Sequence, residues 1–383
     1  MRKAGKKFQS ALLFDLSAAY DLLDRDLFLK KAEIVGITGA ALRWLASYLT
    51  DRKQTVEVNS ARSSIRKLNC GTPQGSSCSC LVFALFVGDI GMWIHGGDVQ
   101  AYADDTFISL EADSIEELQE RMENAGEKVL DYFNQNRMVT NPAKTAMLIF
   151  RPTSTKAKGA RVQITLAGET INESESEKLL GVCITEDLKW NSQIEKLISE
   201  MNYGVSVLWR LRRVLGNREM KLIADGLITS KIRYALPVHG VELLRTTDSQ
   251  PNSGLLQSIQ KVQNNVLRII TGHKRSEHVR ITDMLKATSQ ISVNQLIAYS
   301  CLMETWKARA FNVPVIASLL DNKRDDSRSL RSDTHGLVRS SVDEPFANNT
   351  AKLWNLASER FRSTNLLVIA KIEAKKLAIS LPV

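Results

Sequence analysis

Residues 99–110 read Val-Gln-Ala-Tyr-Ala-Asp-Asp-Thr-Phe-Ile-Ser-Leu, two short apolar runs on either side of a pair of carboxylates. Residues 99–102 and 106–110 have the length and composition of β-strands. The pattern predicts a tight hairpin with Asp104 and Asp105 at its tip. Adjacent aspartates in a hairpin are often only turn formers, so the pair alone leaves a structural and a catalytic interpretation open.

A third carboxylate, Asp15, lies close to the end of the mostly apolar run 9–16, which has the length of a strand. Ionised carboxylates about 4 Å apart repel by about 4 kcal/mol at an effective dielectric near 20. Three of them are therefore held together only where cations lie between them. Because Mg²⁺ prefers oxygen ligands, the three aspartates indicate a magnesium site of the kind that nucleotidyl transfer requires.

The order of elements around these aspartates predicts the fold. Ser114 and Glu117 form a capping-box pattern before a helical apolar stripe that ends at Phe133. We predict strands at residues 9–16 and 145–150, helices at 26–35, 40–49 and 78–94, and short strands at 55–58 and 65–68. This order favours an α+β fold with a ferredoxin-like βαββαβ antiparallel sheet. The acidic positions then fall on adjacent central strands.

The rest of the chain changes character after Arg151. We predict a hairpin at residues 162–171, one further strand at 178–184, and helices at 192–215, 218–233, 255–271 and 293–310. Residues 321–345 are polar and poorly periodic, which is typical of a linker. The predicted domains are therefore residues 1–185, 186–245 and 246–383.

Composition limits the classes of function. The chain has 383 residues and a formal net charge of +9, which favours an acidic partner such as nucleic acid. Its five cysteines show no C-x-x-C spacing, so neither a zinc site nor a disulfide framework is indicated. The most apolar run, residues 81–87, is too short to cross a bilayer, and we predict no membrane partner.

Several motifs, in order, carry a family resemblance. They are Phe14-Asp15-Leu16-Ser17-Ala18-Ala19-Tyr20-Asp21, Gly71-Thr72-Pro73-Gln74-Gly75-Ser76, Tyr102-Ala103-Asp104-Asp105-Thr106 and Leu179-Leu180-Gly181-Val182. With residues 44–49 and 262–265 around them, they resemble the reverse transcriptases of non-LTR (LINE-type) retrotransposons over about residues 8–300. The resemblance implies a right-hand polymerase palm at 1–185, a helical thumb at 186–245 and a C-terminal helical extension with a polar linker near 321–345.

The resemblance also implies roles for the acidic residues and their neighbours. Asp15 and Asp104 would bind two Mg²⁺ ions, with Mn²⁺ as an alternative ion, and Asp105 would add charge or a weaker ligand. The Leu16 carbonyl would face the same ion. Tyr20 matches the steric gate that crowds a ribose 2′-hydroxyl, although alone it would more often be a core aromatic.

Other matched positions concern the nucleotide and the primer. Gln74 and Gly75 match the segment that contacts the incoming nucleotide, and Lys144 resembles a lysine that protonates pyrophosphate, although alone it would more often be merely solvated. The primer grip corresponds to Lys178, Leu179, Leu180 and Gly181. The thumb cations would include Arg210, Arg212 and Arg213, whose helix face could otherwise be a solvated surface.

Two classes of function remain open at this stage. The first is an RNA-directed DNA polymerase whose partners are an RNA template, a DNA primer and dNTPs; a group II intron or retron polymerase is a lesser alternative within it. The second is a catalytically inactive, truncated nucleic-acid-binding remnant, because almost nothing precedes residue 9 where the family has its fingers. A missing fingers or endonuclease segment would then lie on a longer polyprotein. The family implies a nuclear or cytoplasmic ribonucleoprotein location.

Overall fold

The computed structural model describes residues 7–141, 144–152, 161–247, 249–250, 253–313 and 345–383. Its chain divides into two compact units, one ending at Leu188 and one beginning at Lys189. The predicted linker at residues 321–345 lies almost entirely outside the described residues. Within them, no helix is both long and apolar enough to cross a bilayer.

The first unit contains all the strands that the structure describes. They are β1 (Phe8–Phe14), β2 (Leu16–Ser17), β3 (Lys53–Gln54), β4 (Glu57–Val58), β5 (Ala61–Arg62), β6 (Arg66–Lys67), β7 (Asp98–Tyr102), β8 (Asp105–Ala112), β9 (Val139–Thr140), β10 (Ala146–Phe150), β11 (Gln163–Leu166), β12 (Glu169–Asn172), β13 (Ser176–Leu179) and β14 (Val182–Thr185). Its helices are α1 (Ala19–Leu22), α2 (Arg25–Ile34), α3 (Gly39–Leu49), α4 (Ser77–Val87) and α5 (Ile115–Gln135).

A four-stranded antiparallel sheet organises this unit, with the strand order β10-β1-β8-β7. Strands β1 and β8 are therefore its central strands. Leu12 and Phe14 on one face of β1 are buried with helical residues such as Met122 and Phe83, while Ala11 lies in a smaller cluster with Leu148. This alternation is what a strand buried on both faces requires.

The helix that follows the hairpin begins as its sequence predicts. The Ser114 hydroxyl accepts a 3.1 Å hydrogen bond from the Glu117 amide, which confirms the cap. The Glu117 carboxylate, however, accepts from the Asp113 amide rather than from that of Ser114. The reciprocal half of the predicted capping box therefore lies one residue earlier.

Three predicted elements of the first unit are wrong. The strand predicted at residues 55–58 is replaced by two shorter strands, β3 and β4, and residues 55 and 56 belong to neither. Residues 178–184 form two strands, β13 and β14, joined by a two-residue turn in which Leu180 and Gly181 both have positive φ angles, 47° and 84°. Such a turn reverses the chain where the apolar run suggested one continuous strand. The helix predicted to run to Ile94 ends at Val87, and a separate 3₁₀ turn covers Ile90–Met92.

The second unit is helical throughout its described residues. Its helices are α6 (Asn191–Leu211), α7 (Asn217–Ala224), α8 (Ser230–Arg233), α9 (Leu236–His239), α10 (Gly254–Thr271), α11 (Ile281–Thr288), α12 (Val293–Ala310), α13 (Pro345–Leu356), α14 (Glu359–Ser363) and α15 (Leu367–Ser380). A π-helical turn, Asp225–Thr229, joins α7 to α8. One hydrophobic core includes residues from Ile194 to Leu381 and therefore lies on both sides of residue 245. The predicted domain boundary at that residue stays a prediction.

Candidate active site

The central strands bring the three predicted carboxylates to one end of the sheet. Phe14 is paired with Thr106, so one more step along the same antiparallel register aligns Asp15 with Asp105. Residues aligned in this way have Cβ atoms about 4.5–5.5 Å apart. Asp104 adjoins Asp105 in the turn of the hairpin. The sheet therefore assembles residues that are about 90 positions apart in the chain.

The turn differs in one residue from its prediction. Its two central residues are Ala103 and Asp104, while Asp105 is already the first residue of β8, paired with Tyr102. Ala103 has a φ of 54°, in the left-handed region that alanine rarely adopts. Backbone strain of this kind persists where surrounding structure enforces it, and it is common at functional sites.

The electrostatics of this end of the sheet confirm that the carboxylates influence one another. Partial burial raises the pKa of Asp105, and the negative charges of Asp104 and Asp15 raise it further. Lys144 lies on the other side of Asp15, with its ammonium 3.1 Å from the Asp15 Oδ2 atom. The carboxylates thus repel each other, and a cation already neutralises one of them.

The donor set suits a divalent metal, but its members do not converge on a single point. Three carboxylates with mutually unfavourable charges are oxygen ligands of the type that Mg²⁺ accepts. Among the described residues, no group of three or more His, Cys, Asp or Glu side chains is arranged around a common metal position. The metal-binding roles of Asp15, Leu16, Asp104 and Asp105 therefore stay predictions.

Tyr20 lies against the same end of the sheet. Its ring stacks on Phe83 with the ring centres 4.8 Å apart. Burial raises the pKa of the Tyr20 phenol, followed by a hydrogen bond with Cys80 and by the nearby negative charge of Asp104. The ring thus packs on Phe83 near Asp104, and its role as a steric gate stays a prediction.

The loop that carries Gln74 is attached to the segment around Tyr20. The Gln74 side-chain amide donates a 2.9 Å hydrogen bond to the Asp21 carboxylate, and the Thr72 amide donates to the Tyr20 carbonyl at 2.8 Å. Gly75 has a φ of 78°, in the region that glycine adopts without strain. The structure therefore brings Gln74 and the Tyr20 segment together.

A buried arginine holds the start of this loop. The Arg25 guanidinium donates to the carbonyl oxygens of Leu68, Cys70 and Gly71 at 2.6, 2.7 and 2.8 Å. Sequence reasoning gave no role to Arg25, and none to Asp21 or Cys80. Asp21 could have been found from the sequence, because it belongs to the same motif as Tyr20. The Arg25 contacts could not, because they join residues more than 40 positions apart and have no local signature.

Residues 1–184 match the family model described as reverse transcriptase (RNA-dependent DNA polymerase). This part of the chain is similar to the reverse transcriptase family. The match includes Asp15, Tyr20, Gln74 and the hairpin with Asp104, the motifs on which the resemblance rested.

Relatives with known names place this reverse transcriptase domain among those of mobile elements. The chain is 24% identical over 281 residues to an RNA-directed DNA polymerase from mobile element jockey of Drosophila funebris. It is 22% identical over 276 residues to a probable RNA-directed DNA polymerase from transposon BS of Drosophila melanogaster. Each alignment covers 70% of this chain and 29% of the relative. The predicted resemblance to non-LTR reverse transcriptases is confirmed.

Solved structures are more distant. Apo telomerase from Candida tropicalis is 10% identical, with a TM-score of 0.39, over 80% of this chain and 52% of that chain. Telomerase from Candida albicans in complex with a telomeric RNA fragment is 12% identical, with a TM-score of 0.38, over 76% of this chain and 52% of that chain. Similarity at this level supports no argument about the reverse transcriptase domain.

The predicted primer-grip residues lie on the last hairpin of the first unit. Lys178 and Leu179 end β13, and Leu180 and Gly181 form the turn. Lys178 and Leu180 are exposed. The predicted thumb cations lie in the second unit, where Arg210 and Arg213 are exposed and Arg212 donates to the Leu215 carbonyl at 3.2 Å. Nucleic-acid contacts for all these residues stay predictions.

Proposed function

We propose that this chain is an RNA-directed DNA polymerase of a non-LTR retrotransposon, which adds a nucleotide from a dNTP to a primer 3′-hydroxyl on an RNA template. The observation that carries the proposal is the pairing of Phe14 with Thr106 on the central strands, which brings Asp15 to the hairpin that carries Asp104 and Asp105 in a reverse transcriptase domain. The observed strand order supports a ferredoxin-like palm. RNA template, DNA primer and dNTPs are the proposed partners.

Asp15, Asp104 and Asp105 would hold two Mg²⁺ ions, with Mn²⁺ as an alternative, together with the Leu16 carbonyl. When bound, such ions lower the pKa of an attacking hydroxyl and neutralise a triphosphate. The residues of the chain would position the ions and the reacting groups. Burial, followed by the negative charges of Asp104 and Asp15, raises the pKa of Asp105, and the repulsion between these carboxylates favours their binding a cation.

Tyr20 and Gln74 would position the incoming nucleotide. The Tyr20 ring is fixed by its stacking on Phe83 and therefore has little freedom to make room for a 2′-hydroxyl. Gln74 is oriented by its hydrogen bond to Asp21, with its carbonyl oxygen left to accept from a ligand. Deoxynucleotide selection would thus be steric.

The Lys144 side chain would move from the Asp15 carboxylate to the leaving pyrophosphate. In the described state its ammonium contacts Asp15, and its side chain is 63% exposed, so it is free to swing. A lysine at this distance from the carboxylates would donate a proton to the leaving pyrophosphate.

Primer extension tests the proposal. The probe is oligo(dT) on poly(rA) with dTTP and Mg²⁺. We expect extension by the wild type and a loss of about 100-fold or more in Asp104→Asn, because a metal contributes several kcal/mol to such a reaction. Asp98→Asn, at the opposite end of the same hairpin, is the matched control and should extend normally. Equal extension by Asp104→Asn and Asp98→Asn would refute the proposed site.

A second candidate function is binding of nucleic acid without catalysis. The ion pair between Lys144 and Asp15 favours it. The Lys144 ammonium contacts the carboxylate that would have to be free to bind a metal ion. Absence of extension by the wild type, together with salt-sensitive binding of the primer and template, would support this candidate. A nuclear or cytoplasmic ribonucleoprotein location stays a prediction under either function.

A further inference from the structure

A cavity of about 270 Å³ lies within the second unit, between the helix that contains the π turn and the start of α12. Lys221, Asp225, Thr229 and Arg233 line one side of it, and Lys375 of α15 adds a further cation. The cavity is close to the lower end of the size range of small-ligand sites, about 300–1,000 Å³. It lies outside the four motifs of the first unit, although Gln263, from the family-like segment 262–265, contributes to its lining.

The π turn aligns the polar wall of this cavity. The four residues recur at every fourth position along a continuous helix from Asn217 to Arg233. In a regular α-helix each four-residue step turns about 40° beyond a full circle, so the last of the four would be rotated by about 120° from the first. The wider turn at Asp225–Thr229 reduces this rotation and keeps all four on the cavity. π turns frequently mark functional sites.

The charges on the cavity wall are unbalanced. The side chains of Lys221, Arg233 and Lys375 form no hydrogen bond or ion pair with any residue that the structure describes. The one carboxylate on the wall, Asp225, already accepts hydrogen bonds from Thr229 at 3.1 Å and Gln290 at 2.8 Å. Lys221 is half-buried and Arg233 and Lys375 are exposed, so all three cations are available to an anion that enters the cavity.

The remaining lining combines polar and apolar groups. Ile291, Leu296 and the partly buried Tyr299 offer apolar surface beside polar residues, which are Gln263, Ser289, Gln290 and Ser300. The loop at this wall is fixed, because the Gln263 side-chain amide donates to the Ile291 carbonyl at 2.9 Å. The cavity therefore has a cationic side and a mixed side on which Tyr299 offers an aromatic surface.

We propose that this cavity binds a phosphate monoester of nucleotide size, with the phosphate among Lys221, Arg233 and Lys375 and the base or sugar against Tyr299. The phosphate has two sources, a free nucleotide or the 5′-phosphorylated end of a nucleic acid. Charge-assisted hydrogen bonds from lysine and arginine are the usual means of recognising such a group. The proposal does not depend on polymerase activity.

Isothermal titration of the whole chain tests it, with AMP, adenosine and a 5′-phosphorylated decanucleotide as probes. We expect AMP to bind at least about tenfold more tightly than adenosine. Lys221→Gln or Lys375→Gln should lower the affinity for AMP by about tenfold. Lys371→Gln changes an exposed lysine of α15 outside the cavity and should leave AMP binding unchanged. Tighter binding of the decanucleotide than of AMP identifies a nucleic-acid end as the source, and the reverse order identifies the free nucleotide.

A gain of affinity keeps the test independent of folding defects. Asp225→Asn retains the oxygen that accepts from Thr229 and Gln290 but removes the negative charge. We expect it to tighten AMP binding several-fold, a result that a misfolded protein would not give. The proposal is overturned if AMP does not bind, if the cavity variants bind it as the wild type does, or if Asp104→Asn abolishes binding, since the nucleotide would then occupy the carboxylate site.

Discussion

Replacing Arg25 with methionine tests whether a buried guanidinium fixes the loop that leads to Gln74. Arg25 is 8% exposed and donates to three backbone carbonyls, those of Leu68, Cys70 and Gly71. Arg25→Met keeps an unbranched apolar stem but removes every donor. Burial lowers the pKa of Arg25, which reflects the cost of keeping this charge away from water.

The expected loss of stability follows from the surroundings of each hydrogen bond. The bond to Gly71 is buried, so its carbonyl would lose a partner that water does not replace, at a cost of about 1.5–3 kcal/mol. Leu68 is partly exposed and Cys70 is exposed, so water would replace most of the hydrogen bonding that their carbonyls lose. We expect the free energy of unfolding of the first unit to fall by about 3 kcal/mol.

Hydrogen exchange of the β1 amides measures this loss, because β1 is a central strand and its amides report on unfolding of the first unit. Arg43→Gln, at an exposed arginine, is the control and should change the free energy by less than about 0.5 kcal/mol. A loss below about 1 kcal/mol in Arg25→Met would refute the reasoning.

Three further predictions concern the same unit. Gly71→Ala should destabilise it by at least about 2 kcal/mol in the same exchange assay, because Gly71 has a φ of 77° and a Cβ would lie 2.6 Å from the Asp21 carbonyl oxygen. Asp105→Asn should raise stability at pH 7 in urea titrations: a raised folded-state pKa disfavours the ionised form, so the wild type gains stability as the pH falls through that pKa and the variant does not. Lys144→Gln should change stability by less than about 1 kcal/mol, since the ion pair is exposed, yet slow primer extension.

The hairpin and the first catalytic strand could be predicted from the sequence because their signals are local. Alternating apolar residues specify a strand, and the chain around Asp104 has the short apolar runs of a hairpin. Asp15 could be placed at a strand end for the same reason. In the structure the turn lies only one residue earlier than predicted, at Ala103 and Asp104.

The errors arose where backbone conformation overrides composition. Residues 178–184 are apolar enough for one strand, but Leu180 adopts a positive φ and the chain reverses there. The π turn at Asp225–Thr229 lies in a sequence with ordinary helical periodicity. The π turn has no residue-type signature, whereas Gly181 was the signal in the sequence for the reversal at residues 180–181.

The sequence by itself determined which residues are candidates for the chemistry and which strands carry them, because strand and turn preferences act between near neighbours. The tertiary structure alone decided which partners those residues have: Lys144 beside Asp15 across 129 positions, and Arg25 beneath the loop that carries Gln74. Such contacts depend on how the sheet and helices pack, since burial leaves a polar group only the partners that the fold brings within hydrogen-bonding distance.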